Sequence, residues 1–354
     1  MLFQYTTFDR SKNIGIQIAR LWEREQYATS IDKQHIAAHI LWKYKPPFTR
    51  LELVTTIARI VSSCGSIHQE AFSCLGKLKI MWGTDALADK NYSKKHPFLF
   101  AHAYRKILGP EVRVEKDITF TFPNKNFINQ FLRIGWKKIQ SAQIYVKCFT
   151  SAGLRHAYPS KRHSLIIQAL LAQHNDKNTI DKQDPAMRYM KIKKFPPDWD
   201  LFVKNVSKKY SFIPLRSSNI LKWRLLECPT HKYDVYLAMQ HRKIIGYFAL
   251  RYEKKNNVKI GFLTDILCDP DKTIILNNIL RQICTIFKEK KVDIAHTIAI
   301  SKQLKQMLQK NAFYPGEKVD MLYFSTKERK LKHLLLRQDS WHISMADGDF
   351  EMEN

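Results

Sequence analysis

The sequence predicts an α/β fold on a mixed sheet, built twice in tandem. Three observations carry this. Apolar patterning switches between strand-like and helix-like periods along most of the chain. Short segments recur in the same order at offsets near half the chain length. Each half also runs through a similar series of helices and strands, the pattern that packs helices on a central sheet.

The recurrences fix the register between the halves. GTDALAD (Gly83–Asp89) returns as LTDILCD (Leu263–Asp269), sharing the skeleton Thr-Asp-x-Leu-x-Asp. WKYKPP (Trp42–Pro47) faces WRLLECP (Trp223–Pro229), and RIVSS (Arg59–Ser63) faces KIIGY (Lys243–Tyr247). NKNFINQFLRIGW (Asn124–Trp136) faces SKQLKQMLQKNAF (Ser301–Phe313). In this last pair Phe127, Ile128, Phe131 and Leu132 form one helical stripe, and Leu304, Met307 and Leu308 form another. Both stripes end on a small residue, Gly135 or Ala312, followed by an aromatic.

The elements follow in order. Early helices precede a Trp-containing segment and two or three strands. A strand then ends in Asp and leads to a helix, Phe98–Leu108 or Thr273–Lys288. Next come a strand (Ile118–Phe122; Ala295–Ile300), the capped helix, and a last strand or two (Ser141–Phe149; Lys318–Ser325). The expected units are 1–150 and 195–345, joined by a polar and basic linker, 151–194, with a short helix at Ser164–Gln173. Residues 346–354 form an acidic tail, expected to be loose after Trp341.

Composition narrows the function classes. The 354 residues suit about two domains, and 45% apolar content suffices for a core. Six scattered cysteines without a C-x-x-C pair fit a reducing compartment and the cytoplasm rather than a disulfide framework or zinc site. Met1–Arg20 lacks the apolar core of a signal peptide, and no run of about 18 apolar residues would span a membrane. A formal charge of +27 favours an anionic partner, although the lysines are spread in twos and threes as on an ordinary solvated surface. His35 and His39 have helical i, i+4 spacing but no third ligand, so no metal site is expected.

Each repeat resembles the GNAT (Gcn5-related N-acetyltransferase) fold. ITFTFP (Ile118–Pro123) followed by Asn124, Phe127, Phe131, Gly135 and Trp136 resembles that superfamily's strand–helix–strand module. TDALADKNYSKKHPFLFAHAYRK (Thr84–Lys106) resembles its acyl-CoA segment of strand, phosphate loop and helix. The whole chain, including Ser217–Ala238 and Ser340–Phe350, resembles bacterial proteins with two GNAT copies.

The resemblance implies an N-acyltransferase moving an acyl group from acetyl-CoA, another acyl-CoA or an acyl carrier protein to an amine. An amino-sugar or cell-envelope precursor is the implied acceptor class. It places the cofactor in the first repeat, against Leu87, Ser93, Lys94, Lys95, His96 and Asn124. A helix N-terminus favours a pyrophosphate there. The loop at Ser93–Phe98 lacks the superfamily's glycines, and its cationic side chains would compensate. In the second repeat Asp269 and Asp271 would repel phosphate and read as helix N-cap and first-turn charge, so no CoA is expected there. Where the superfamily often has a proton-donating Tyr stand Phe131 and Leu308. Tyr145 and Tyr92 are the nearby phenols, Asp85 and Asp89 the carboxylates available as a base; Asp85 and Tyr145 are the catalytic candidates. Two other readings stand beside this one. One is an inactive GNAT-fold protein binding an anionic partner. The other is an aminoacyl-tRNA-dependent transferase resembling the Fem-type enzymes.

Overall fold

A computed structural model describes residues 3–27, 31, 33–45, 47–96, 104, 115–158 and 186–348. Of the helix expected at Phe98–Leu108 only Tyr104 is described, and it is buried. The helix expected at Ser164–Gln173 lies outside the described residues.

Two mixed sheets form the centre. The first half contributes β1 (Gln4–Thr7), β2 (Thr49–Thr55), β3 (Ile60–Ser73), β4 (Gly76–Ala88), β5 (Ile118–Thr121), β6 (Lys137–Lys138) and β7 (Ala142–Cys148). The second contributes β8 (Met187–Ile192), β9 (Phe212–Pro214), β10 (Tyr233–Gln240), β11 (Lys243–Lys255), β12 (Val258–Cys268), β13 (Ile294–Ala299), β14 (Tyr314–Val319) and β15 (Leu322–Phe324). One sheet has the order β1-β2-β3-β4-β5-β15-β6, with β9 added on β3; the other runs β8-β10-β11-β12-β13-β7-β14. β4–β5 and β12–β13 are parallel, and the other named strand pairs are antiparallel.

The halves have exchanged their last strands. β7 lies between β13 and β14 in the second sheet, and β15 lies between β5 and β6 in the first. Both strands form where the apolar pattern expects them, but in the other repeat's sheet. An inter-sheet core of Trp82, Phe120, Phe212, Ile298, Met321 and Trp341 fills the space between the two halves.

The repeat pairs fall on equivalent places. Trp42 and Trp223 stack with ring centroids 5.4 Å apart. Each indole N–H donates to the other's backbone carbonyl, at 3.0 and 3.3 Å. Such reciprocity requires a local two-fold relation between the repeats. The capped helices Ile128–Arg133 and Lys302–Lys310 end alike. Gly135 (φ +95°) and Ala312 (φ +58°) are both left-handed. The next amide closes a 6→1 bond, Trp136 N–H to Phe131 O and Phe313 N–H to Leu308 O. Helix Thr273–Glu289 matches its expected span within a residue and buries Leu276, Ile279, Leu280, Ile283 and Phe287 on one stripe.

The chain just after Trp341 departs from the expectation: Ile343, Met345, Ala346 and Asp347 are buried, while 349–354 lie outside the described residues. Arg216, fully buried, donates to Asp265, Asp347 and the Ser344 hydroxyl, which ties the terminal segment to the second sheet. Asp347, the acidic tail residue that is described, is drawn in by a buried cation 131 residues away that needs its carboxylate.

Candidate functional site

The parallel pair in each sheet holds together at one end and parts at the other. β4 and β5 pair from Ile80↔Ile118 to Gly83↔Thr121, after which β4 runs on without β5 to Ala88, paired only with β3. β12 and β13 pair from Ile260↔Ile294 to Phe262↔His296, and β12 continues to Cys268. A threonine hydroxyl marks each fork: Thr121 donates to Gly83 O at 3.1 Å, Thr297 to Leu263 O at 2.9 Å. Beyond the fork one edge of β4 and of β12 has no strand partner among the described residues, so its amides and carbonyls can meet a ligand. A bulge bends each strand near this point, between Ser63 and Gly65 opposite β4 and between Ala249 and Leu250 opposite β12.

Among the described residues the two forks are flanked differently. In the second repeat Ile266, Leu267 and Cys268 are all buried. The flanking helices are tied across the gap: Gln303 donates to Pro270 O, and Asn311 to the Asn277 side chain at 3.0 Å. In the first repeat the corresponding Ala86, Leu87 and Ala88 are half-buried. Ala86 and Ala88 border a wall of Met81, Tyr104, Phe131 and Trp136, with Tyr92 and Phe127 at its margin. Two alanines leave room where the second repeat has Ile and Cys. Gly83 belongs to the same wall, since a Cβ there would lie 2.5 Å from the Tyr104 hydroxyl.

Asp85 sits at the bulge of β4 with φ +46°, buried to 1% exposure. Lys43 pairs with it at 2.9 Å, and the hydroxyls of Tyr44 and Tyr27 donate to it. Tyr44 reaches it over Gly65, where any side chain would collide with the ring. Asp265 repeats the arrangement with Arg216 (3.1 Å) and Tyr247. Burial alone would raise the Asp265 carboxyl; Arg216 and His342 instead hold it well below the usual range. A carboxylate paired with a cation and tyrosine in both repeats suits an anchor for the bulge better than a base. Its presence in the closed repeat points the same way.

The other expected residues are spread out. Tyr145 is on β7 in the second sheet, opposite Thr297, and buried among second-repeat side chains; burial raises its phenol. The structure therefore does not bring Asp85 and Tyr145 together. Leu87 packs toward the first helices, on the core of Ile18, Trp22 and Ile40. Asn124 is exposed just past β5, and its carbonyl accepts from Phe127 N–H.

Ser93, Lys94 and Lys95 close a short helix, Lys90–Lys95, and His96 is its C-cap. The N–H groups of Ser93 and His96 are already given to Asp89 O and Tyr92 O, both at 2.8 Å. This is the carbonyl end of a helix, so its dipole does not favour an anion; the side chains of Lys94 and Lys95 remain exposed. In the second repeat Asp269 accepts from Asp271 N–H, and Asp271 pairs with Lys209 at 2.9 Å. The N-cap of Thr273–Glu289 is Lys272, without a side-chain bond, so Asp269 caps the preceding turn rather than the helix.

Sequence reasoning missed the cations that gather at the tip of β4. Arg24 and Arg59 share Asp89 at 3.0 and 3.2 Å, and Arg59 lies 5.1 Å over the Tyr92 ring. Asp89 also N-caps the Lys90–Lys95 helix. The signal was present in the partners, since the Thr-Asp-x-Leu-x-Asp skeleton marks Asp89, but the arginines lie on two other elements.

No protein-family model matches the chain, and no curated protein matches it in sequence. Solved structures do match its fold. Saccharomyces cerevisiae N-myristoyltransferase with bound myristoyl-CoA aligns over 92% of this chain and 83% of its own, with TM-score 0.60 and 12% identity. A tandem GNAT protein from the clavulanic acid biosynthesis pathway aligns over 91% and 98%, at TM-score 0.56 and 9% identity. The chain has a tandem GNAT fold. A GCN5-related N-acetyltransferase from Anabaena variabilis aligns over 90% of this chain and 72% of its own, at TM-score 0.56 and 10% identity. The strand order β1-β2-β3-β4-β5-β15-β6, with its single parallel pair, is thus a GNAT sheet completed by a strand from the other half.

Proposed function

We propose that this tandem GNAT protein is an N-acyltransferase whose acyl thioester, from acyl-CoA or an acyl carrier, lies in the fork of the first repeat. The units are those expected at 1–150 and 195–345, the second extended by edge strand β8 from the expected linker, and each is completed by the other's last strand. The observation that carries the reading is the difference between the forks. The first is edged by half-buried Ala86 and Ala88; the second is closed by Gln303–Pro270 and Asn311–Asn277. Amide groups of a thioester's arm would bond the open edge of β4, and Lys94, Lys95 and Arg59 would face its phosphates as point charges. Myristoyl-CoA bound in the yeast neighbour and the N-acetyltransferase neighbour from Anabaena variabilis support the cofactor class.

In the reaction an amine nitrogen attacks the thioester carbon. The C–N bond forms, the C–S bond breaks, and the ammonium's proton leaves while the thiolate gains one. Asp85 serves as anchor rather than base, so the acceptor amine, an amino-sugar or envelope precursor by analogy, loses its proton to water. The second reading, an inactive binding protein, is favoured by Phe131, a buried hydrocarbon on the capped helix.

Calorimetry with acetyl-CoA and longer acyl-CoAs tests the reading. Micromolar binding by the wild type is expected, weakened by Lys94→Ala/Lys95→Ala and abolished by Ala88→Trp, which fills the fork. Absence of binding to any acyl-CoA and to an acylated carrier would leave the inactive reading.

A further inference from the structure

The helix Glu328–Leu335 follows β15 and buries Leu331 and Leu334 against the inter-sheet core. Its opposite face is exposed and carries Arg329, Lys330, Lys332 and His333, continued by Leu336 and Arg337. None of Arg329, Lys330, Lys332 and Arg337 has a carboxylate partner among the described residues. The helix's own Glu328 is taken by Lys137 at 2.6 Å.

Helix stability does not account for this face. Cations favour the C-terminal turn, which explains Lys332, but Arg329 and Lys330 stand in the first turn, where the macrodipole opposes them. Burial does not explain Leu336 either, since it is 76% exposed. A second exposed leucine lies near the strip. Leu75 is 43% exposed in the β3–β4 turn, next to Cys74, whose sulfur is 3.7 Å from His333. The surface is therefore a cationic strip with two exposed leucines beside it.

We propose that this face docks the protein on an anionic phospholipid surface. The cations would lie among lipid phosphates, and Leu336 and Leu75 would enter the head-group boundary. The chemistry favours lipid over single-stranded nucleic acid. Stacking platforms for bases rest chiefly on exposed Phe, Tyr and Trp rings, and none of these among the described residues is exposed. A net charge of +27 adds long-range attraction to the same partner.

The test is co-sedimentation of the full chain with phosphatidylcholine vesicles, with and without phosphatidylserine, alongside Arg329→Gln/Lys330→Gln/Lys332→Gln and Leu336→Ser. Binding should require phosphatidylserine and weaken with salt. The triple variant should lose about 100-fold, at roughly fivefold per cation. Leu336→Ser should lose less, and acyl-CoA binding should be unchanged in both. All the substituted residues are exposed, so the variants keep the wild-type melting temperature. The proposal is overturned if the wild type ignores phosphatidylserine vesicles or if the triple variant binds them equally well. It also falls if the triple variant instead loses binding to transfer RNA while vesicles are not bound at all.

Discussion

Replacing Arg216 by Met should be among the most damaging single changes outside the apolar core. Arg216 is fully buried and donates to Asp265 through Nε at 3.1 Å and to Asp347 through Nη1 at 3.0 Å. It also reaches the Pro214 carbonyl at 2.8 Å and Ser344 at 3.0 Å. Burial opposes its charge, but the two carboxylates hold its proton more firmly than in an ordinary arginine. Methionine fills similar space but leaves Asp265 and Asp347 facing each other without a cation. Removing one member of a buried ion network costs about 3–5 kcal/mol. At about 2 °C per kcal/mol, that lowers the melting temperature by roughly 6–10 °C.

The loss should depend on pH. Asp265 has a folded pKa below its unfolded value, so its contribution is present above about pH 4 and disappears as the pH falls. Urea unfolding of wild type and Arg216→Met at pH 7 and pH 3 measures both. A loss under about 1 kcal/mol at pH 7, or one that grows on acidification, would refute the idea that this buried network holds the terminal segment.

Other consequences are as direct. Ala312→Gly should stabilise by about 0.5–1 kcal/mol by relieving a left-handed alanine, and Gly135→Ala should destabilise by about 1 kcal/mol; thermal unfolding of both checks the matched helix ends. Gly65→Ala should cost about 1–3 kcal/mol and release Tyr44 from Asp85, because its Cβ would meet the Tyr44 ring and Thr84. The fragments 1–150 and 186–354, each lacking a strand of its own sheet, should fold poorly alone and form a stable pair when co-expressed, read by circular dichroism and size exclusion. Burial lowers the imidazoles of His68 and His296 to about 4, so unfolded chains bind more protons between there and about pH 6.5. Stability should therefore fall as pH drops through that window, and His68→Gln/His296→Gln should flatten the curve in pH-dependent denaturation.

Much of the architecture was legible because its causes are local. The 3.6-residue stripe of Thr273–Glu289, the left-handed ends at Gly135 and Ala312, and the paired Thr-Asp-x-Leu-x-Asp segments all mark their elements within a few residues. The candidate site was less legible. Ser93–His96 looks like a loop until Asp89 caps the Lys90–Lys95 helix, whose carbonyls take the Ser93 and His96 amides. Asp85 looks like a free carboxylate until Lys43 and Tyr44, from another helix, cover it.

The sequence by itself determined that there are two copies of one α/β unit, and where most of their strands and helices begin and end. Only the tertiary structure decided which sheet each last strand joins. The alternation of β7 and β15 specifies a buried strand but not a neighbour, and either sheet offers the same slot beside its fifth strand. It likewise decided that the chain from His342 to Asp347 is buried and that the second fork is tied shut. Those outcomes depend on Arg216, Gln303 and Asn311 meeting groups far away in sequence, and such meetings leave no local pattern.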